Sequence, residues 1–248
     1  MALVERDTAR AAHEPPDRAP GEMTLIEHLN ELRERLIKSV LALVVGVVIA
    51  ALFLTWPVMG VLVEPVGRKL VFLRPAEMVL TYFKVALITG AALAMPVIVY
   101  QVLMFILPAL TPEEKRYVFF AVPGVSVAFI VGVLFGFFAL LPFAVKYLLS
   151  WGGDFVDPMW SIGEYLSFVT TLLFWIGVSF EMPIVIFFLA KLGVVDHRRL
   201  ASYRKYALLA AFVIAAIITP TPDPFNQTLV GVPLYLLFEI GVLLARLA

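Results

Sequence analysis

Residues 176–190 read IGVSFEMPIVIFFLA. Fourteen of the fifteen are apolar, small or proline, and the exception is Glu181. The run continues back to Tyr165, which makes it 26 residues long. A bilayer-spanning helix needs about 20 apolar residues, so the stretch reads as a transmembrane helix. It holds an ionisable group some 5 Å from its midpoint at ~1.5 Å per residue. A carboxylate at that depth is a functional candidate by default.

The rest of the chain has the same character. Of its 248 residues 62% are hydrophobic and only 15% charged. Globular domains carry about 25% charged residues. Formal net charge is zero, so no basic surface advertises nucleic acid. Cysteine is absent, which excludes disulfides, thiol redox and thiolate metal sites. His13, His28 and His197 all fall outside the apolar runs, which argues against a buried metal site. No phosphate-binding G-x-x-x-x-G-K-[ST] loop occurs, so neither metal nor nucleotide cofactor is expected.

Six apolar segments stand out, at 39–63, 79–107, 118–142, 165–190, 206–219 and 229–245. The expected fold is an all-α integral membrane protein, one six-helix transmembrane domain over residues 23–248. Residues 1–22 are polar and proline-containing and read as a disordered extension. The first apolar run is too long for a cleavable signal peptide. With the N-terminus inside, inner segments hold 14 Lys and Arg and outer ones 4, with Lys84 inside the second span. That bias places both termini in the cytoplasm. The fifth segment, at 14 residues, is short for a span. Pro57, Pro96, Pro123, Pro142, Pro183 and Pro233 fall inside spans and predict kinked helices in a curved bundle. Gly132 and Gly136 form a G-x-x-x-G that permits close helix approach.

Two acidic features sit at the inner membrane surface. MTLIEHLNELRERLIKSV (23–40) has Thr24 and Glu27 at capping-box spacing. Leu25, Leu29, Leu32 and Leu36 make an apolar stripe, and Glu27, Glu31 and Glu34 an acidic one. An amphipathic helix lying at the interface is expected. The plainer alternative, an anchor in which Glu31 and Arg35 pair at i,i+4, is favoured by spacing alone. FILPALTPEEKRY (105–117) links the second and third spans, and Glu113 and Glu114 suit a helix N-terminus. Carboxylates on one rim would suit a ligand bearing arginines, whose planar fork separates Arg from Lys.

Inside the spans, Glu181 reads as a proton relay, a hydrogen-bonding group for another helix, or a partner for a polar residue of the bundle. Gln101 and Glu239 are the other polar intruders, with Glu239 near the interface. ITPTPDPFNQ (218–227) crosses outside with three prolines, anchored by Asp223 and Gln227. A rigid cap is its plainer reading.

Five stretches together, HLNELRERL, FILPALTPEEKR, GVSFEMP, ITPTPDPFNQT and PLYLLFEIG, resemble the TatC family, the multispanning core subunit of the twin-arginine protein translocase. The resemblance runs from about residue 24 to 246 and implies a cupped six-helix bundle in the cytoplasmic (inner) membrane. It implies a receptor for the twin-arginine signal peptides of folded cargo, working with single-span TatA- and TatB-type partners and driven by the proton gradient. It places Glu31 and Glu114 against the two arginines, with Arg33, Phe105 and Leu110 shaping the site. It puts Glu181 on the concave side, Pro65 in the first outer loop, and Asp223 and Gln227 in the last. The expected role is transport, not enzymatic catalysis.

Two other readings fit the residues less well. A proton-coupled solute transporter would show several midplane polar groups and an internal repeat, and neither is evident. An intramembrane hydrolase would use Ser179, but Glu181 replaces the glycine of the elbow motif and no histidine lies in the spans.

Overall fold

The computed structural model describes residues 25–67, 69–106, 112–150, 159–219 and 223–248, with side chains at 25, 106 and 112–121 left out. Expectations about residues 1–22, the Thr24 cap and Leu110 therefore lie outside the described residues. The described chain is all helical apart from turns and one isolated bridge, Val71 with Ser161.

Helix α1 (Leu25–Ile49) passes through a π-helical turn (Ala50–Leu54) into α2 (Thr55–Val63). The amphipathic stretch is thus continuous with the first span and is not a separate interfacial helix. Its sides are also reversed from a soluble helix. Leu29, Leu32 and Leu36 are exposed, while Glu31 and Arg35 turn toward a neighbouring helix. Lipid rather than water surrounds most of this helix, so outward leucine costs nothing.

Helix α3 (Glu77–Ile106) contains Pro96, and α4 (Pro112–Phe135) contains Pro123. Pro112 opens α4, where a proline lacks no needed donor. A second π-helical turn (Gly136–Leu140) joins α4 to α5 (Leu141–Ser150). Each π turn lies just before a proline, Pro57 or Pro142. A proline ring crowds the carbonyl four residues back, and a widened turn relieves it. The third apolar segment's helix runs on past residue 142 to Ser150, into the stretch between the third and fourth apolar segments.

Helix α6 (Ile162–Lys191) is the centre of the fold and contains Pro183. Leu166, Val169, Leu172 and Ile176 are almost wholly buried along it. They pack with Met59 and Leu62 of α2, Leu141 and Val145 of α5, and residues of two later helices. Those are α8 (Arg204–Ile218) and α9 (Pro224–Leu244), preceded by the short α7 (His197–Ser202). Ala211, Ala215 and Ile218 of α8 and Val230 and Leu234 of α9 complete the core.

Five helical stretches are long and apolar enough to cross a membrane: Ile26–Val66, Glu77–Phe105, Val122–Ser150, Ile162–Lys191 and Pro224–Leu244. The remaining apolar segment, the fifth (206–219), forms α8, only 15 residues. At ~1.5 Å per residue it is about 22 Å long, short of a ~30 Å hydrocarbon core.

Small residues set the helix spacing. A Cβ on Gly132 would lie 2.8 Å from Phe180 Cβ and 2.9 Å from Gly177 Cα. One on Gly136 would lie 2.8 Å from Leu173. The G-x-x-x-G therefore seats α4 and its π turn on α6. A second contact, not evident in the sequence, joins α1 to α3. A Cβ on Gly90 would lie 2.4 Å from Val47 Cα, and one on Gly46 2.5 Å from Gly90 O. Backbone meets backbone there, so no side-chain rotation relieves a clash. Gly90→Ala is expected to destabilise the protein by about 2 kcal/mol through overpacking. Gly60→Ala, with nothing within 4 Å of the added carbon, should melt like wild type in detergent. Equal melting temperatures for the two variants would refute the close approach.

Candidate functional site

The end of the bundle carrying the N-terminus of α1, the C-terminus of α3 and the start of α4 holds the first acidic cluster. Arg35 sits one turn after Glu31 on α1. Its Nη2 donates to Glu31 Oε1 at 3.2 Å. Its Nη1 donates to Gln101 Oε1 of α3 at 3.3 Å. The side chains of Glu31 and Arg35 are 17% and 21% exposed, so water screens the pair only in part. Four residues after Gln101, Phe105 stacks on His28 with centroids 4.4 Å apart. Two contacts one helical turn apart thus lock the same faces of α1 and α3 together.

The arrangement is incomplete. Glu31 Oε2 and Arg35 Nε are buried and have no hydrogen-bond partner among the described residues. A buried polar atom left without a partner costs roughly 1–3 kcal/mol. Beside them runs an open groove of 380 Å³, lined by Glu27, Asn30, Glu31, Glu34 and Arg35. The site can therefore admit a donor from outside the chain. Arg33 is exposed and makes no ion pair among the described residues. Two residues from Glu31, it is turned about 200° around the helix. Glu114 lies in the first turn of α4, five undescribed residues beyond the end of α3, and its side chain is outside the described residues. So the structure joins Glu31, Gln101 and Phe105 through Arg35 and His28, and it points Arg33 elsewhere. The sequence supplied Arg35 only as an i,i+4 partner, and nothing in it marked His28.

The intramembrane residues divide. Glu181 on α6 is 6% exposed, and its Oε1 has no partner among the described residues. Glu239 on α9 accepts from Arg204 Nε at 3.1 Å and Nη2 at 2.9 Å, and from the Tyr235 hydroxyl at 2.7 Å. It finds its partners inside the chain and ties α9 to α8. Ser179 donates to Trp175 O at 2.7 Å, an ordinary back-bond within its own helix.

At the far end, Asp223 caps α9 by accepting from Asn226 N at 2.8 Å. Gln227 Nε2 donates to Phe212 O of α8 at 3.1 Å. Both therefore hold the α8–α9 turn. Pro65 lines a groove of 540 Å³ with Phe137, Phe138, Pro142 and Lys146. Lys84, within α3, donates to Ser167 Oγ of α6.

One far-end residue escaped the sequence reading. Glu77 Oε2 accepts from Leu73 N at 2.7 Å and Arg74 N at 3.2 Å. Its Oε1 accepts from Gly163 N at 2.9 Å and from the Ser161 hydroxyl. A single carboxylate thus holds the 69–76 stretch to the start of α6, beside the Val71–Ser161 bridge. Only its first-turn position on α3 hinted at this, and that hint points to capping its own helix. In Glu77→Ala, the amides of Leu73 and Gly163 should exchange with deuterium at least tenfold faster, by about the strength of one charged hydrogen bond. Unchanged exchange at both amides would show that the carboxylate holds nothing.

Architecture and site together define a multi-pass α-helical membrane protein with polar clusters at both ends of its bundle. A family model described as Sec-independent protein translocase protein (TatC) matches residues 27–233. The Sec-independent protein translocase protein TatC of Aquifex aeolicus is 42% identical over 233 residues, covering 91% of this chain and 96% of its own. That of Carboxydothermus hydrogenoformans is 40% identical over 227 residues, covering 90% and 93%. A crystal structure of a twin arginine translocase receptor, TatC, superposes with a TM-score of 0.81 at 41% identity, covering 89% of this chain and 99% of that one. The chain belongs to the TatC family of Sec-independent protein translocases.

Proposed function

We propose that this chain is the receptor subunit of a twin-arginine translocase, binding the paired arginines of signal peptides at the end of the bundle that carries Glu31. The supporting observation is the carboxylate of Glu31. It is partly buried, opens on a groove, and has one oxygen without a donor among the described residues. A guanidinium brings paired donors in a plane, which matches such an acceptor better than an ammonium does. Glu114, at the first turn of α4, is the second carboxylate. Phe105 contributes apolar surface beside Glu31, and in this reading Leu110 and Arg33 are further residues of the site, Arg33 from another side of α1.

In this reading the chain has six spans, α8 being the short one accommodated by local thinning of the bilayer. Its intrahelical prolines bend the bundle into a cup. Both termini face the cytoplasm, since Lys and Arg concentrate on that side. The membrane is the inner membrane. The transmembrane part is a single six-helix domain. The subunit transports folded proteins with TatA- and TatB-type single-span partners, uses the proton motive force, and performs no catalysis of its own. Glu181 is the intramembrane contact for a partner helix. Its unpartnered oxygen supports that role, and its low exposure requires α6 or a neighbour to shift for contact. Pro65, Asp223 and Gln227 shape the outer loops, while Gln101 and Glu239 contribute polar contacts within the spans.

The test uses the absence of native cysteine. A single cysteine in place of Asn30, which lines the groove beside Glu31, is expected to crosslink to a twin-arginine signal peptide. In the otherwise unaltered chain, Glu31→Ala and Glu114→Ala should each weaken binding about tenfold or more, the scale of one charge-assisted hydrogen bond. A twin-lysine peptide should bind as weakly as those variants bind the twin-arginine peptide. If both peptides bind alike and neither substitution matters, the receptor reading fails.

A further inference from the structure

Glu31 does not wait empty for a ligand. It is already held by a guanidinium of its own chain, and that arrangement has a consequence for selectivity. We propose that Arg35 is a specificity-determining residue of the Glu31 site, an internal guanidinium that an incoming arginine displaces and an incoming lysine does not. This inference rests on the reading of Glu31 as a receptor for ligand cations.

Arg35 is unlike an ordinary surface pair. The neighbouring Glu34–Lys38 pair has the same i,i+4 spacing, but its side chains are 73% and 50% exposed and both lie on α1. Arg35 is mostly covered, and its second nitrogen reaches an acceptor on α3. Gln101, itself 8% exposed, is the anchor that keeps the guanidinium over Glu31. Water therefore competes weakly for Glu31, and Arg35 is the rival that any ligand must meet.

The hold is nonetheless loose. Its bond to Glu31, at 3.2 Å, exceeds the usual 2.7–2.9 Å of a charged N–H to carboxylate contact, and its bond to the Gln101 amide oxygen, at 3.3 Å, lies beyond the usual N–H to oxygen range. Among the described residues Glu31 gives Arg35 one oxygen only, and Oε2 remains buried without a donor. Arg35 Nε is likewise buried without an acceptor. A ligand guanidinium entering from the groove can take both oxygens in one plane and so improve on the resident. A lysine offers a single point charge, cannot take both oxygens in that geometry, and is more strongly hydrated. It also meets the positive charge of Arg35 without the means to replace it. The internal arginine thus sets a threshold that separates two ligands of equal charge.

The experiment measures binding of twin-arginine and twin-lysine signal peptides to the full-length protein in vesicles, and reads the ratio of their affinities. In Arg35→Gln the lysine peptide should gain more than the arginine peptide. The ratio should fall by about fivefold or more, the scale of one hydrogen bond to a charged group. Arg35→Lys should lower the ratio less, since it restores the charge without the fork. Gln101→Leu leaves Glu31 and Arg35 in place but removes the anchor, and should move the ratio in the same direction. It carries the test if Arg35→Gln fails to fold. Glu31→Gln separates the two levels of the argument. If it abolishes twin-arginine binding while the Arg35 and Gln101 variants leave the ratio unchanged, the threshold idea is wrong and the receptor reading survives. If Glu31→Gln leaves binding untouched, both fall together. A pair that merely braced α1 would lower both affinities equally when removed, and that result also overturns the proposal.

Discussion

Hydrocarbon offers no hydrogen-bond partners, and every polar group in this bundle is placed under that constraint. Backbone groups meet it by forming helices. Side chains meet it by bonding to their own helix or to the next. Thr55 bonds Ala50 O at the first π turn, Ser126 bonds Val122 O, Thr170 bonds Leu166 O, and Thr219 bonds Ala215 O. Longer polar side chains bridge helices: Arg35 to Gln101, Lys84 to Ser167, Arg204 to Glu239, and Gln227 to Phe212 O. Each bridge joins two helices whose apolar surfaces alone would pack in several registers. Glu31 Oε2 and Glu181 Oε1 have no partner among the described residues, and that sets them apart.

Around this polar scaffold the packing is organised by α6. Its buried face meets α2, α5, α8 and α9 in one core, while glycines let α4 approach its other side. Large apolar residues elsewhere, such as Leu52, Phe53, Phe138 and Ile217, point outward where lipid replaces a core. The two ends are closed differently. One is tied by the carboxylate of Glu77, which accepts four donors from two loops and a helix start. The other is tied by Glu31, which has capacity to spare. A saturated acceptor suits a structural joint, and an unsaturated one beside a groove suits a receptor.

Much of the site was legible in the residues. Glu31 and Gln101 drew notice because acidic and amide groups are rare in such a chain, and the structure brings them together. The apolar runs located the long helices because a bilayer-crossing helix must be apolar along its whole length. The short α8 did not meet that standard for the same reason. Helix ends were read less well: the 143–164 stretch contains polar residues, yet its first eight are helical to Ser150. The amphipathic pattern before residue 39 was legible, but its orientation was not. A leucine stripe means burial in water and means nothing of the kind in lipid.

The sequence by itself determined the class of the protein, its helices and its family, because these follow from local quantities: apolar length, proline placement and ordered motifs. Only the tertiary structure decided which polar residues share a partner. Glu31 and Gln101 are 70 residues apart, Glu77 and Gly163 are 86, and Lys84 and Ser167 are 83. No periodicity reports such distances. They are set by which helices lie side by side, and that depends on glycine contacts and core volumes summed over the whole bundle.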